Sequence, residues 1–185
     1  MFALFVGLLL ATGLMRLVEL AVSVRRMRAR PDAVVAEPRL FPFMALLHAA
    51  LVGLPILEVV TLERPFSWAW AGPAFVLLGL ATALRIWTLR TIGGAWNVRV
   101  VAPPSGGIAT GGPYRWIRHP NYLCVILEIA ALPLVHGAWI AAIALSVWNA
   151  AVLAVRIPTE EATLRTIPAW KEAFEGRARL VPGLL

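Results

Sequence analysis

Residues 121–155 read NYLCVILEIAALPLVHGAWIAAIALSVWNAAVLAV, 35 positions without a lysine or arginine. As one helix the stretch would extend roughly 50 Å at ~1.5 Å per residue, whereas about 20 residues cross a ~30 Å hydrocarbon core. The chain must therefore turn back on itself. Leu132-Pro133 and His136-Gly137 supply the breakers, which predicts a short helix of about 14 residues from Asn121 and then a full span over 138–155. Working outward, residues 67–91, 40–62 and 1–24 are further apolar stretches, so the sequence predicts an all-α polytopic membrane protein with five transmembrane helices, the last two forming a tight hairpin. The opening stretch lacks the basic start of a secretory signal and runs apolar too long for one, and it reads as an anchor.

Composition agrees. Of 185 residues, 60% are hydrophobic and 15% are charged, against about a quarter charged in soluble domains; mean hydropathy is +0.78. A single cysteine, Cys124, excludes an internal disulfide, a zinc ribbon and an iron–sulfur centre, and no metal is expected. No internal repeat supports an inverted-repeat transporter.

The 17 basic residues set an orientation. Arg25, Arg26, Arg28, Arg30 and Arg39 occupy the first loop; Arg85, Arg90, Arg99, Arg115 and Arg118 surround the third; Arg156, Arg165, Lys171, Arg177 and Arg179 follow the last span. Five crossings put 15 of the 17 on one side, which the positive-inside rule makes cytoplasmic, with the N-terminus outside and the C-terminus inside. Basic clusters flanking spans favour anionic lipid headgroups, so membrane lipids are expected partners and nucleic acid is not. The polar insertion 93–120, with Gly93-Gly94, Pro103-Pro104, Gly106-Gly107 and Gly111-Gly112-Pro113, excludes a regular helix, and a loop of this length is usually functional.

Two stretches concentrate polar chemistry: Gly111-Gly112-Pro113-Tyr114-Arg115-Trp116-Ile117-Arg118-His119-Pro120-Asn121-Tyr122, and Arg156-Ile157-Pro158-Thr159-Glu160-Glu161. The Gly-Pro-Tyr-Arg, Arg-His-Pro-x-Tyr and Arg-Ile-x-x-Glu-Glu motifs resemble the signature of the isoprenylcysteine carboxyl methyltransferase family of integral-membrane enzymes, over roughly residues 84–182. The wording around Arg-His-Pro-Asn-Tyr-Leu is most similar to a bacterial branch associated with type III polyketide synthases. That resemblance implies S-adenosylmethionine as methyl donor and methylation of a lipophilic acceptor, an alkylpyrone or alkylresorcinol in that branch, at a bacterial inner membrane with the site facing the cytoplasm. It also divides the chain into an N-terminal two-helix hairpin, 1–66, and a catalytic core, 67–185, made of the third span, the loop 93–120, the hairpin 121–157 and a C-terminal helix.

The residues themselves suit such a cofactor, which presents a ribose diol, a carboxylate, an adenine and a sulfonium. Glu160 or Glu161 can accept from ribose hydroxyls, Arg118 and His119 can face the carboxylate, and Tyr122 and Leu123 can border the adenine. Pro120 suits the first turn of the short helix, where free backbone N–H groups point at a ligand. The plainer reading makes Glu160 and Glu161 first-turn acids after Pro158, with Arg156 pairing four residues on. Arg115 and Trp116 read as interfacial anchors.

Arg85 falls within the third span, where an unpaired cation costs several kcal/mol, ~2.5 to 3.5 on insertion scales. It snorkels, pairs, or orients an anionic acceptor; by resemblance it takes the acceptor role, as a catalytic and substrate-binding residue. Arg156 is a second catalytic candidate, and Trp96, Asn97 and Glu128 complete the substrate set, although Glu128 equally suits an ion pair with an arginine of span three. Arg16 and Glu19 are spaced to neutralise each other. Glu58 and Glu63 lie near the outer interface and need no function, His48 and His136 read as structural, and Asn149 reads as interhelical glue. The chain departs from the family at Cys124, where glycine is common, and over residues 170–174, which lack a usual tyrosine pair. Two rival functions are a nicotinamide-dependent membrane reductase on a similar scaffold and a non-catalytic lipid-binding protein.

Overall fold

The computed structural model describes residues 1–29, 40–98 and 108–183. Within them lie six α-helices: α1 (Phe2–Arg28), α2 (Phe41–Thr61), α3 (Trp68–Ile92), α4 (Pro120–Leu134), α5 (Trp139–Leu164) and α6 (Pro168–Phe174). Among the described residues the extended backbone pairs at one isolated bridge, Ile117 with Ala178. Arg30, Arg39, Arg99, Pro103-Pro104 and Gly106-Gly107 lie outside the described residues.

Four helices, α1, α2, α3 and α5, are long and apolar enough to cross a membrane. The short α4, 15 residues, is about 22 Å long at ~1.5 Å per residue. It packs between α3 and α5, while α2 packs on α5 and α1 on α2. Phe5 and Leu9 of α1, Leu51 of α2, Ile129 and Leu132 of α4 and Leu145 of α5 close the core, each at most 2% exposed. On the outside, Trp68, Val76 and Val147 are more than 60% exposed. Apolar residues on both the inner and outer faces are what a hydrocarbon solvent permits, because the exterior gains nothing by being polar.

The predicted turn between α4 and α5 is present. Gly137 takes φ +73°, a left-handed conformation that glycine adopts without a Cβ penalty, and the Ala138 N–H donates back to the Pro133 carbonyl at 3.0 Å. A second glycine is fixed by proximity: a Cβ on Gly112 (φ +51°) would sit 2.3 Å from Thr91 Oγ1. The signature loop therefore lies directly on α3, with Trp116 edge-on to Trp87.

One boundary differs from expectation. Pro158 does not end the last span; α5 runs through it to Leu164. A mid-helix proline costs about 3 kcal/mol, and α5 carries it one turn ahead of the polar contacts of Glu160 and Glu161. The two glutamates therefore sit in the last two turns of α5 rather than in a first turn.

Glu58 has a structural task that its position near a helix end concealed. Its carboxylate accepts from the Ile140 N–H at 3.2 Å and the Ala141 N–H at 2.6 Å, at the start of α5, and pairs with Arg64 at 3.1 Å. The α2 side chain thus caps α5 in space, where free N–H groups and the positive helix end favour an anion. Glu58→Ala should lower stability by about 1–3 kcal/mol, read as a fall in melting temperature in detergent, and Glu58→Gln should recover part of it.

Candidate functional site

The start of α4 is fixed by the chain's own C-terminal segment. The Arg118 N–H donates to the Ala178 carbonyl at 2.9 Å and the His119 N–H to the Arg179 carbonyl at 3.0 Å, which spends two backbone groups ahead of Pro120. Below them lies Glu161, 2% exposed. Its carboxylate accepts from Arg118 Nη1 at 3.2 Å and from Arg179 Nη2 at 3.1 Å, lies 3.2 Å from His119 Nε2, and is 3.5 Å from Arg165 Nη2. A carboxylate with this many cationic partners is fully engaged by protein.

Glu160, one residue earlier, points elsewhere. It lines the main cavity, whereas Glu161 does not. The Tyr122 hydroxyl donates to Glu160 and accepts from Arg156 Nε at 2.6 Å, so Arg156 reaches Glu160 through a tyrosine rather than by the expected four-residue pairing. Arg156 also donates to the Val98 carbonyl and contacts Met44 Sδ. His119 stacks on Tyr122 with ring centres 5.3 Å apart, and its Nδ1 is 3.9 Å from Glu160. The histidine thus stands between the two glutamates.

Beside this polar group is an aromatic wall. Tyr114, Trp170 and Phe174 form a buried cluster, with Trp170 and Phe174 stacked at 5.3 Å and the Arg177 guanidinium 4.7 Å over Phe174. Burial pushes the Tyr114 phenol well above its ordinary value, helped by the nearby Glu160 charge, so it stays neutral and serves as a surface rather than a base. Residues 170–174 therefore supply aromatic faces despite lacking the tyrosine pair. The one-turn spacing of Trp170 and Phe174 was the available signal.

From this end a cavity of about 630 Å³ runs into the bundle, within the size range of sites for drug-sized ligands, ~300–1,000 Å³. Its apolar flanks come from Leu10, Leu14 and Leu17 of α1 and from Met44 and Val52 of α2. Trp96 and Asn97 line it too, and α1 holds them in place: Arg26 donates to the Trp96 carbonyl at 2.6 Å and Ser23 to Asn97 Oδ1 at 2.6 Å.

Arg85 is buried, at 4% exposure, and does not snorkel. It donates to Glu19 Oε1 from Nε at 3.0 Å and Nη2 at 2.5 Å, and its Nη1 is 3.6 Å from Glu128 Oε2. Arg16 bridges the same two acids, donating to Glu19 Oε2 at 2.7 Å and to Glu128. Two arginines and two glutamates from α1, α3 and α4 thus form one electrically balanced group. The expected Arg16–Glu19 pair is half of it, and the suggested pairing of Glu128 with an arginine of span three is present.

Of the residues singled out from sequence, Arg85, Trp96, Asn97, Arg118, His119, Tyr122, Arg156 and Glu160 line the same cavity. Pro120, Leu123, Glu128 and Glu161 do not. Asn149, read as interhelical glue, also lines the cavity, and its side chain makes no hydrogen bond among the described residues. Sequence reasoning missed the cavity roles of Glu19, Arg16, Ser23 and Arg26, because the first span carries no signature. The surplus of buried charges in separate spans, two acids and two bases, was the legible clue.

Uncharacterized protein YpbQ of Bacillus subtilis (strain 168) is 36% identical over 126 residues, 68% of this chain and 74% of the relative. The isoprenylcysteine carboxyl methyltransferase (ICMT) family profile matches residues 74–166, from α3 to the end of α5, the stretch that carries both polar motifs. The chain belongs to the isoprenylcysteine carboxyl methyltransferase family, which marks it as a membrane methyltransferase.

Proposed function

We propose that the protein transfers a methyl group from S-adenosylmethionine to an oxygen, a carboxylate or an acidic hydroxyl, of a lipophilic acceptor. The observation that carries this reading is the single cavity, polar and aromatic at the signature end and apolar where α1 and α2 flank it. A water-soluble cofactor and a lipid-borne acceptor need just these two environments in contact.

The residues fit the cofactor. Arg118 Nε, Trp96 Nε1 and Asn121 Oδ1 are buried without a hydrogen-bond partner, an arrangement that costs free energy unless a ligand answers it. Arg118 and His119 would hold the carboxylate, Glu160 the ribose hydroxyls, and the Tyr114–Trp170–Phe174 wall the adenine, with Tyr122 beside it. When bound, S-adenosylmethionine supplies an electrophilic methyl on a positively charged sulfur. The protein contributes alignment and exclusion of water: Arg156 and Tyr122 fix Glu160, and Glu161 fixes Arg118 and His119 from behind. Glu161 and Pro120 are then positioning residues, and Tyr122 packs against Leu153 and Ile157 of α5.

Five crossings with the N-terminus outside would place this site at the cytoplasmic face, in a bacterial inner membrane. The short α4 then starts below the interface, and its first turn meets the cofactor. The division at residue 66 separates the signature-bearing core from the N-terminal hairpin, while both parts line the cavity. The polyketide-associated branch, and with it an alkylpyrone or alkylresorcinol acceptor, accords with a cavity that opens among apolar side chains.

Titration calorimetry with S-adenosylhomocysteine tests the cofactor assignment. Glu160→Ala and Trp170→Ala should each weaken binding about tenfold or more, each removing one charge-assisted or stacking contact; unchanged affinity in both folded variants would refute the site. Glu161→Ala should instead lower the melting temperature as well as the affinity, since it releases three cations at once. Reporter fusions at Arg30, Gly107 and the C-terminus should all register the cytoplasm, and one on the outer face would overturn the topology.

A further inference from the structure

The balanced group of Arg16, Glu19, Arg85 and Glu128 lies deeper in the bundle than the signature motifs. Glu128 is six residues beyond Tyr122 on α4, about 9 Å at ~1.5 Å per residue. Three of the four, Arg16, Glu19 and Arg85, line the cavity, and two of those belong to α1. Charged side chains are costly inside a membrane even when paired, so a group that also borders a cavity is a functional candidate.

Its hydrogen bonding is incomplete in a specific way. Arg16 Nε and Arg85 Nη1 are buried donors without a hydrogen-bond partner. Glu19 Oε2 accepts one bond, from Arg16, which leaves acceptor capacity on a carboxylate oxygen. A ligand oxygen placed here is therefore asked both to accept from an arginine and to donate to a glutamate. A hydroxyl does both. A carboxylate only accepts, and it would bring a negative charge to a group already balanced by Glu19 and Glu128, which repel it.

We infer that Glu19, on the first helix, receives the hydroxyl proton of the acceptor, and that Arg16 and Arg85 hold that oxygen for attack. The inference rests on the methyl-transfer reading above and deepens it. The acceptor oxygen forms a bond to the methyl carbon of the sulfonium donor, the carbon–sulfur bond breaks with its electron pair remaining on sulfur, and the hydroxyl proton passes to Glu19. Water takes that proton after the product ether leaves. Because the O–H becomes strongly acidic as the oxygen is alkylated, a carboxylate is base enough. Glu128 and His48 face the same group from α4 and α2; Glu128 does not line the cavity and His48 does, with its Nδ1 2.7 Å from the Met44 carbonyl, whereas Glu19 is the cavity-lining acid bonded to both arginines that hold the oxygen.

The test begins without any methyl donor. A long-chain alkylphenol and its methyl ether, which cannot donate a hydrogen bond, are titrated into the purified full chain and into Glu19→Gln, followed by tryptophan fluorescence. The native chain should prefer the phenol by about tenfold or more, the factor carried by a hydrogen bond to a charged group, and Glu19→Gln should lose most of that preference. With S-adenosylmethionine added, Glu19→Gln should methylate the alkylphenol at least about 100-fold more slowly. A nitro-substituted alkylphenol that is ionised before it binds should be methylated by Glu19→Gln at near the native rate, a rescue that a merely structural glutamate would not show. If the native chain binds phenol and ether alike, or methylates a fatty acid of equal length as fast as the phenol, the inference is overturned. The comparison within the native chain decides the matter even where Glu19→Gln fails to fold. Calorimetry of S-adenosylhomocysteine on the same samples separates the two failures: binding there with no phenol preference sinks Glu19 alone, while no binding sinks the methyl-transfer reading.

Discussion

The buried carboxylate of Glu161 holds together everything at the signature end. It comes from near the C-terminal end of α5, and its partners come from the loop before α4 and from the chain's last segment: Arg118, His119 and Arg179. An ionised group this deeply enclosed would cost several kcal/mol if left alone, and it is tolerated because cations answer it from several directions. The consequence is geometric. The Ile117–Ala178 bridge can form only where the last segment is drawn across the signature loop, and that segment brings Arg177 over Phe174 and thereby closes the aromatic wall. Removing the carboxylate would set mutually repelling arginines against one another.

Adjacent glutamates can then do different work. Because α5 continues past Pro158 as a helix, residues 160 and 161 are turned about 100° apart, so one faces the cavity and the other faces the scaffold. The same separation recurs in the membrane half, where Glu19 borders the cavity and Glu128 stands behind it while sharing the same two arginines. In each place an acid at the wall is oriented by arginines shared with, or relayed from, its surroundings.

The architecture was legible in the sequence wherever length and hydropathy alone decide it. The 35-residue run had to fold back, Gly137 and Pro133 marked where, and the apolar stretches before it coincide with α1, α2 and α3 to within a few residues. The residues of the two motifs were legible as a group for a similar reason, since polar chemistry is conspicuous against so apolar a chain. What was not legible is which way each side chain turns. The last span was expected to stop short of Pro158, yet α5 runs through it to Leu164. Glu58 looked like an idle interfacial acid because its partner N–H groups lie some eighty residues away in sequence. Arg85 admitted three readings because its compensating charges sit on two other helices, and pairing across helices leaves no local pattern.

The family match begins in α3, yet α1 contributes Arg16 and Glu19 to the balanced group and Ser23 and Arg26 to the hold on residues 96–98. The first two serve the deep half of the cavity, and the second two hold residues 96–98, where the Val98 carbonyl accepts from Arg156 of the signature end. The charges of α1, each needing a partner to be stable in hydrocarbon, thereby tie that helix to α3 and α4.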